Sequence, residues 1–291
     1  MKSTIIILLL FLIAVAGEVI RELHVFRVTR YKIRHVKLAG LKHTRKLVFL
    51  SDLHNCCYGR ENDKLFAAIE KECPDLILIG GDMLLRRDGW SYRQTVEFIS
   101  RLPKICKVYY ANGNHEQKLK EWPERYRQSY KEYRQRLAKA GVHFLENESD
   151  TAEWDGVCIR ITGLEIPLKN YERSGRKRLS AGEIEERIGR AGGAYEILLA
   201  HHPGYVGVYQ DWGADLILSG HYHGGVVGIP GGGVIAPDFT LFPKYCGGCY
   251  QAGDSAAVVS RGLGAHSVPV RFMNPAELVA VELSPEVSAG L

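Results

Sequence analysis

Five short apolar runs recur along the chain, and polar residues follow each of them at once. The runs are Leu47–Leu50, Leu76–Ile79, Val108–Tyr110, Ile197–Ala200 and Leu216–Leu218. A continuous apolar run of this length is typical of a strand that is buried on both faces. Stretches with helical spacing lie between the runs, for example Leu65, Phe66 and Ile69 after Asn62. The alternation of strands and helices predicts an α/β fold.

Two segments carry other periodic patterns. Apolar and basic residues alternate in Val25–Leu38, which predicts a strand with one solvent-exposed face. Residues 117–140 predict a charged helix with an aromatic stripe at spacings of three or four, formed by Trp122, Tyr126, Tyr130, Tyr133 and Leu137. The stripe is interpreted either as a contact with the core or as a lid over a site, because it closely follows His115.

The rest of the chain shows less regular patterns. Residues 171–190 are rich in charge, which predicts a solvated helix and loop. The last third is rich in glycine, at Gly224-Gly225, Gly228, Gly231-Gly232-Gly233 and Gly247-Gly248. We expect antiparallel strands joined by tight turns there, with Ala256–Ser260 and Leu278–Leu283 as the last two strands.

Residues 1–20 form an N-terminal hydrophobic segment. Every residue from Ile5 to Ala16 is apolar, although the run is shorter than the roughly 20 residues that span a bilayer. We interpret it as an uncleaved membrane anchor. A cleaved signal peptide is the alternative, since Ala14-Val15-Ala16 offers a small-residue cleavage site. The basic residues that follow favour a cytoplasmic position for the rest of the chain by the positive-inside rule.

Residues 21–46 form a basic juxtamembrane strand region. Their charge is +8, because Glu22 is opposed by nine basic side chains: Arg21, Arg27, Arg30, Lys32, Arg34, Lys37, Lys42, Arg45 and Lys46. Residues 1–20 sum to zero and the whole chain carries +5, so residues 47–291 carry −3. That balance argues against nucleic-acid binding, which needs positive charge over a folded face. Anionic lipid headgroups would attract the basic stretch.

The composition is that of a globular protein. Hydrophobic residues make up 46% and charged residues 24% of the 291 residues, which excludes disordered, collagenous and polytopic membrane classes. We expect one catalytic domain over residues 47–291. Seven cysteines, an odd number, favour a reducing compartment. Cys246 and Cys249 are interpreted as two loop thiols rather than as half of a zinc knuckle.

Carboxylate, amide and imidazole side chains follow the five apolar runs. They are Asp52, His54, Asp82, Asn114, His115, His201, His202, His221 and His223. In open α/β sheets ligands bind at the carboxyl ends of the strands, so we expect these side chains to converge. This mixture of oxygen and nitrogen donors suits divalent Mn, Fe or Zn. Two cations about 3.5–4 Å apart, bridged by a carboxylate, would account for the set.

The order of these motifs resembles the calcineurin-like metallophosphoesterase superfamily. The resemblance covers residues 47–225 and rests on Asp52-x-His54, Gly81-Asp82, Gly113-Asn114-His115-Glu116, His201 and Gly220-His221-x-His223. The tail is similar to the membrane-anchored bacterial branch of YkuE-like phosphoesterases. It carries Val259-Ser260-Arg261-Gly262-Leu263-Gly264, Pro269-Val270-Arg271-Phe272 and Asn274-Pro275-Ala276-Glu277.

The resemblance implies a fold and a role for each residue. The fold is a four-layer α/β/β/α sandwich of two mixed sheets. Asp52, His54 and His223 would bind one metal, Asn114, His201 and His221 would bind the other, and Asp82 would bridge them. His115 would face the substrate without binding metal. His202 stays open as an alternative to His201. Many relatives carry a second Asp three residues after the bridging one, where this chain has Leu85.

These roles predict a metal-dependent hydrolase of phosphoric esters. Two cations, most simply Mn and alternatively Fe or Zn, would provide a metal-bound hydroxide near neutral pH. His115 would act as a general acid or stabilise the transition state. A phosphodiester, a phosphomonoester and a lipid-linked pyrophosphate all fit, and the oligomeric state stays open. A non-enzymatic metal-binding scaffold and a zinc amidohydrolase barrel are alternatives that the opening Asp-x-His and His115 disfavour.

Overall fold

The apolar runs form the centres of two six-stranded sheets in a computed structural model of the protein. The structure describes residues 2–85, 91–126, 129–172, 178–229, 232–236, 240–265 and 269–286. Gly231 of the glycine-rich third and residues 173–177 of the second charged segment lie outside these ranges.

The first sheet combines the early strands with the last one. In chain order its strands are β1 Phe26–His35, β2 Arg45–Leu50, β3 Leu76–Ile79, β4 Lys107–Tyr110, β5 Val142–Phe144 and β14 Ala276–Pro285. Their spatial order is β1-β14-β2-β3-β4-β5. Strands β2 to β5 are parallel, whereas β14 is antiparallel to β2 and parallel to β1. The carboxyl ends of β2, β3 and β4 therefore share one edge of the sheet.

The second sheet is built from the middle of the chain. Its strands are β6 Glu148–Trp154, β7 Val157–Leu164, β8 Tyr195–Ala200, β9 Leu216–Ser219, β12 Gly248–Ala252 and β13 Ser255–Val259, in the spatial order β12-β13-β9-β8-β7-β6. Strands β7, β8, β9 and β13 are parallel, and the outer strands are antiparallel to their neighbours. A short hairpin, β10 Gly228–Ile229 and β11 Gly232–Gly233, follows β9.

Seven α-helices complete the described part of the chain. They are α1 Lys2–His24, α2 Asp63–Glu72, α3 Arg93–Ile99, α4 Asn114–Glu121, α5 Tyr130–Lys139, α6 Ala181–Ile188 and α7 Val206–Trp212. Ser180 caps α6 by accepting a hydrogen bond from Glu183 N, while the Glu183 side chain accepts one from Ser180 N. This reciprocal capping begins a helix inside the charged segment, as the sequence predicts.

Alternating side chains of the buried strands supply three apolar clusters. In β2, Leu47 and Phe49 point between the sheets, where they join Ile197 and Leu199 of β8. Val48 and Leu50 point the other way, toward helices α2 to α5. Leu198 faces a third cluster, which packs the second sheet on α6 and α7. Because successive side chains of a strand face opposite sides, the layers run helix, sheet, sheet, helix, and the predicted four-layer α/β/β/α sandwich is confirmed.

The aromatic stripe of residues 117–140 does not lie on one continuous helix. Helix α4 ends at Glu121 and α5 begins at Tyr130, with a single 3₁₀ turn at Pro123–Arg125 between them. Proline lacks the N–H of a helix interior, which explains the break. Tyr130, Tyr133 and Leu137 are buried in the core beneath the first sheet. These three residues have the core contact that was one of the two interpretations of the stripe.

The basic region of residues 21–46 is largely part of the folded domain. Strand β1 pairs with β14 at all ten of its positions, from Phe26–Ala276 to His35–Pro285. Five of the nine basic side chains lie within 4.0 Å of a carboxylate: Arg21, Arg30, Lys32, Lys37 and Arg45. The region is therefore an edge strand with paired charges rather than a free polybasic tail.

Removing β1 is expected to destabilise the domain. A chain that begins at Lys42 lacks β1, so β14 becomes an unpaired edge and Ile33 leaves the core between the sheets. A long unpaired strand edge favours aggregation. We expect this chain to aggregate in size-exclusion chromatography, whereas a chain that begins at Val25 keeps the strand and elutes as a folded species. Equal elution and equal far-ultraviolet circular dichroism would contradict this role of β1.

Candidate metal centre

The two sheets bring the predicted site residues to one place. Asp52 and His54 follow β2, Asp82 follows β3, and Asn114 and His115 begin α4 after β4. His201 follows β8, and the pair His221 and His223 follows β9. All eight are buried. These residues include three groups of potential metal ligands, and within each group the ligand atoms lie within 4.8 Å of one another. The groups are Asp52, His54 and His223; His54, Asp82 and His115; and Asp82, His201 and His221.

Five of these residues adopt the left-handed backbone conformation, with φ between 49° and 66°: Asp52, His54, Asp82, His221 and His223. This conformation is uncommon in residues other than glycine, and it persists where the surrounding structure enforces it, often at functional sites. Gly220 permits the tight approach of two loops, because a Cβ atom there would overlap the Asp52 carboxylate and the Ser51 hydroxyl. The strand ends are thus shaped to aim these side chains at a common centre.

Asp82 lies in the middle of the site. Its Oδ2 is 3.2 Å from His201 Nε2, 3.9 Å from His54 Nε2 and 4.0 Å from His115 Nε2. Its Oδ1 accepts a hydrogen bond from the backbone N–H of His115 at 2.8 Å. The carboxylate therefore contacts side chains that come from both sheets.

Asp52 occupies the neighbouring position. Its Oδ1 is 3.2 Å from His223 Nε2 and 4.0 Å from His54 Nε2. Both carboxylate oxygens accept the backbone N–H of His221 at 3.1 Å, and Oδ2 also accepts the Ser51 hydroxyl at 2.6 Å. These hydrogen bonds fix the plane of the carboxylate.

Backbone carbonyls orient two of the histidines. His201 Nδ1 lies 2.7 Å from Gly80 O, and His223 Nδ1 lies 3.1 Å from Gly264 O. A ring whose Nδ1 donates to a carbonyl presents Nε2 as a lone pair, which is the usual arrangement behind a metal-binding histidine. Both Nε2 atoms face the carboxylates.

The charges of the site depend on one another. Burial alone would lower the pKa of His201, but the Asp82 and Asp52 carboxylates outweigh it and raise the pKa to about 10. Burial raises the pKa of Asp52, and the imidazoles of His223 and His201 more than offset this and leave the pKa low. Burial and the neighbouring His115 and His223 hold the pKa of His54 well below its ordinary value. Without a cation the carboxylates attract a proton to His201, so protons compete with metal for the site.

The side-chain oxygen of Asn114 indicates that the site suits a metal. No described residue hydrogen-bonds to its side-chain oxygen, although this atom is buried. A buried polar atom of this kind normally has a partner. The amide oxygen is a neutral ligand for a hard or borderline cation, and the carboxylates and imidazoles around it complete an oxygen and nitrogen donor set that suits divalent metals.

The structure distinguishes His201 from His202. The Nε2 atom of His201 lies 3.2 Å from Asp82 Oδ2. His202 Nδ1 instead accepts the backbone N–H of Gly204 and caps the turn after β8. Its ring packs against Tyr171 and Tyr205. His202 therefore caps the turn after β8, and its ring also packs against the ring of His221 at 4.8 Å between centroids.

Sequence reasoning assigned no role to Glu116. This buried side chain accepts the backbone N–H groups of Asp82, Met83 and Gly113 at 2.8–3.1 Å. It also accepts the hydroxyl of Tyr110 at 2.9 Å. Burial and the nearby Asp82 raise the pKa of Glu116 to about 7. Its position next to His115 in the Gly113-Asn114-His115-Glu116 motif was the available signal, but Asp82 and Met83 are more than thirty residues away in sequence.

The second element outside the predicted site set is the tail. The buried Arg271 guanidinium donates to the carbonyls of Arg261, Gly262 and Gly264. Gly264 O is the partner of His223 Nδ1, and Gly264 N donates to Asp52 O. The tail motif thus positions the loop behind one ligand group.

The substitution Glu116→Gln is expected to disturb the loop that carries Asp82. Both carboxylate oxygens accept N–H donors, so an amide NH₂ would face a donor whichever way it turned. Leaving a buried hydrogen bond unmade costs about 1–3 kcal/mol. We expect a lower midpoint of thermal unfolding and a lower kcat. The exposed Glu186→Gln is the matched control, and identical behaviour of the two variants would contradict this role.

Comparisons with known proteins cover the same region. A family model described as calcineurin-like phosphoesterase matches residues 45–225, which include all eight predicted site residues. The uncharacterized metallophosphoesterase YkuE of Bacillus subtilis (strain 168) is 28% identical over 272 residues, or 90% of this chain and 87% of that protein. Phosphodiesterase YaeI of Escherichia coli (strain K12) is 28% identical over 243 residues, 80% of each protein. A solved phosphopantetheinyl hydrolase, PptH from Mycobacterium tuberculosis, has a TM-score of 0.45 and 13% identity, over 79% of this chain and 90% of that one.

Proposed function

The chain belongs to the calcineurin-like phosphoesterase family, and from this premise we propose that it hydrolyses phosphoric esters at a dinuclear metal centre. The protein is a metal-dependent phosphoester hydrolase, and what we add is the composition of the site. One metal would be held by Asp52, His54 and His223, the other by Asn114, His201 and His221, with Asp82 between them.

The position of Asp82 is the observation that carries the proposal. Its Oδ2 is 3.2 Å from His201 and 3.9 Å from His54, and these two histidines belong to different ligand groups. A carboxylate with one group on each side is suited to bridge two cations. The side-chain oxygen of Asn114, which is buried and accepts no hydrogen bond from a described residue, would supply a neutral ligand to the metal that we assign to His201 and His221.

Bound cations would supply Lewis acidity, neutralise phosphate oxygens and lower the pKa of a coordinated water. The chain itself supplies the proton for the leaving group. His115 lies in the first turn of α4, and its Nε2 is 4.0 Å from Asp82 Oδ2. We assign it the role of general acid, donating from Nε2 to the leaving oxygen.

Manganese is the metal that we propose, with Fe or Zn as the alternatives. The proposed ligands present oxygen and imidazole nitrogen, a mixture that serves Mn, Fe and Zn alike. Within the described ranges, no cysteine belongs to the groups that bring three potential ligands together. A thiolate-selective site is therefore not what this donor set supports.

The substrate that we propose is an amphiphilic phosphoric ester at the membrane. Helix α1 is the one described helix that is long and apolar enough to span a bilayer, and the name of the relative YaeI is that of a phosphodiesterase. An anchored enzyme reaches a lipid phosphodiester, phosphomonoester or pyrophosphate without the substrate leaving the bilayer. By the positive-inside rule the catalytic domain would face the cytoplasm.

A substrate panel on the full-length protein tests the function. The protein is stripped with a chelator, reloaded with Mn, and assayed with a bis-aryl phosphodiester, an aryl phosphomonoester and a nucleotide-linked lipid. We expect two Mn per chain by elemental analysis and hydrolysis that needs the metal. Full activity with one metal per chain would contradict the dinuclear centre, and hydrolysis that survives chelation would contradict metal dependence.

A further inference from the structure

Four exposed apolar side chains lie in the last third of the chain, far in sequence from helix α1. Outside α1, the large apolar residues with at least 41% exposure in the described part of the chain are Val25, Val36, Ile229, Leu241, Phe242 and Met273. Phe242 is 67% and Met273 is 59% exposed. Single exposed apolar residues are ordinary, but a group of them marks an interaction site. We use the name apolar surface for Ile229, Leu241, Phe242 and Met273.

Backbone hydrogen bonds join the segments that carry these residues. Gly228 N donates to Phe272 O at 2.9 Å, which places Ile229 beside Met273. Strand β10 pairs with β11, and Phe242 N donates to Val234 O at 2.9 Å just after β11. The residues of the apolar surface are up to 44 residues apart in sequence, but these hydrogen bonds place the segments that carry them side by side. We call these adjacent segments the platform.

The backbone of this platform is held in an unusual shape. Phe242 and Met273 have φ values of 45° and 54°. Bulky residues rarely adopt this left-handed conformation, and a protein retains such strain mainly where it serves a function. Here the strained residues are the ones whose apolar side chains face solvent.

The platform contacts the end of the membrane helix. Glu22, in the last turn of α1, is 2% exposed, and its Oε2 accepts the backbone N–H of Asn274 at 2.9 Å. Val15 and Val19 are half-buried and lie on the same face of α1 as Glu22. Met273 is the residue directly before Asn274. Met273, one member of the apolar surface, thus lies next to the helix that is the candidate membrane span.

The length of α1 sets the depth of this contact. Its 23 residues extend over about 34 Å, compared with about 30 Å for the hydrocarbon core of a bilayer. If α1 spans the core, Glu22 lies at the boundary with the headgroups. Met273 directly precedes Asn274, the partner of Glu22, and therefore lies at the same depth.

We propose that the apolar surface docks on the headgroup and acyl-chain boundary of the bilayer and forms a second membrane contact beside α1. The occupant is lipid, because the surface adjoins α1, whose exposed apolar residues would need the apolar environment of the bilayer. The basic stretch of residues 21–46 does not replace this contact, since Arg30, Lys37 and Arg45 are paired with carboxylates of the domain. Two contacts, rather than one helix, would fix the orientation of the domain.

Docking would bring the proposed metal centre to the membrane. Asn274 Nδ2 donates to His223 O at 2.7 Å and also to Gly225 O, so the docked platform holds the loop of a proposed ligand. This consequence rests on the proposed function. It implies a substrate with a phosphoester headgroup and acyl chains that enters the site from the bilayer.

Quenching of tryptophan fluorescence by brominated lipid tests the docking itself. The full-length protein carries Phe242→Trp and is reconstituted in vesicles of phosphatidylcholine and phosphatidylglycerol that are brominated near the headgroup end of the acyl chains. The wild-type signal is subtracted. The matched control is Val36→Trp, because Val36 is exposed and follows the far end of β1, about 33 Å from the end of α1. Leu241→Trp serves if the Phe242 variant does not fold.

We expect strong quenching of tryptophan at position 242 and little at position 36. Equal quenching at the two positions would overturn the proposal. A blue-shifted emission at position 242 that brominated lipid does not quench would also overturn it, since protein, such as a second copy of the chain, would then cover the surface.

A kinetic comparison separates docking from the proposed function. Phe242→Ser should lower kcat/KM for a lipid phosphoester in vesicles by about tenfold and leave a soluble aryl ester unchanged, whereas Val36→Ser should change neither. If the wild type hydrolyses no ester but position 242 is quenched, the proposed function fails and the docking stands. If the wild type hydrolyses both esters and Phe242→Ser keeps their ratio, docking does not serve the substrate and the proposed substrate route is overturned.

Discussion

Replacing Asp82 by Asn is expected to release metal and to reduce turnover by about 10³-fold or more. Asp82 Oδ2 lies between His201 and His54, and an amide cannot offer two anionic oxygens to two cations. A metal that acts as a Lewis acid contributes several kcal/mol of transition-state stabilisation, which corresponds to this factor. Elemental analysis of the purified variant and its kcat on an aryl phosphoester with Mn provide the two measurements.

Asp211→Asn is the control for the loss of one carboxylate. Asp211 is exposed on α7, so the variant should keep both its metal content and its rate. If Asp82→Asn retained two metals per chain and turned over normally, the dinuclear centre would be wrong. An unchanged far-ultraviolet circular dichroism spectrum is needed in both variants, since Asp82 Oδ1 also holds the start of α4.

Replacing His115 by Ala is expected to leave the metals in place and to lower kcat by about 10²–10⁴, the usual contribution of general acid catalysis. The Nε2 atom of His115 lies 4.0 Å from Asp82 Oδ2, and His115 belongs to the group of potential ligands that also contains His54 and Asp82. The test compares two leaving groups. An aryl oxide leaves readily without a proton, so its ester should lose much less rate than an alkyl ester.

The exposed His143→Ala on β5 is the control, and its kinetics should match the wild type. Equal loss for aryl and alkyl esters would show that His115 stabilises charge rather than donating a proton. Loss of a metal from His115→Ala would show that His115 is a ligand, and the assignment to the substrate side would then be wrong.

Local pattern was sufficient for the strands that contain the apolar runs. Leu47–Leu50 and Leu216–Leu218 are strands because consecutive apolar residues need burial on both faces, and β2 and β9 contain them. The break between α4 and α5 also has a local cause, Pro123, although the aromatic spacing over residues 117–140 predicted one helix. The candidate ligands were identifiable for the same reason, since each follows the carboxyl end of an apolar strand.

Pairing between distant segments was not readable from the chain. Strand β14 lies between β1 and β2, so residues near position 280 separate two strands that are adjacent in sequence. The spacing of apolar residues reports which faces are buried, but not against which partner. The same limit applies to Glu116, whose role depends on the N–H groups of Asp82 and Met83 more than thirty residues away.

The sequence by itself determined the strands that contain the five apolar runs, the strands β1, β13 and β14, several helices and the identity of the candidate site residues, because burial and residue chemistry produce recognisable local patterns. The tertiary structure alone decided which of two adjacent histidines faces Asp82, how Arg271 and Asn274 hold the loop of His223, and which loops adjoin α1. Those arrangements depend on distances and hydrogen bonds between residues far apart in the chain, and such contacts exist only once the two sheets have packed together.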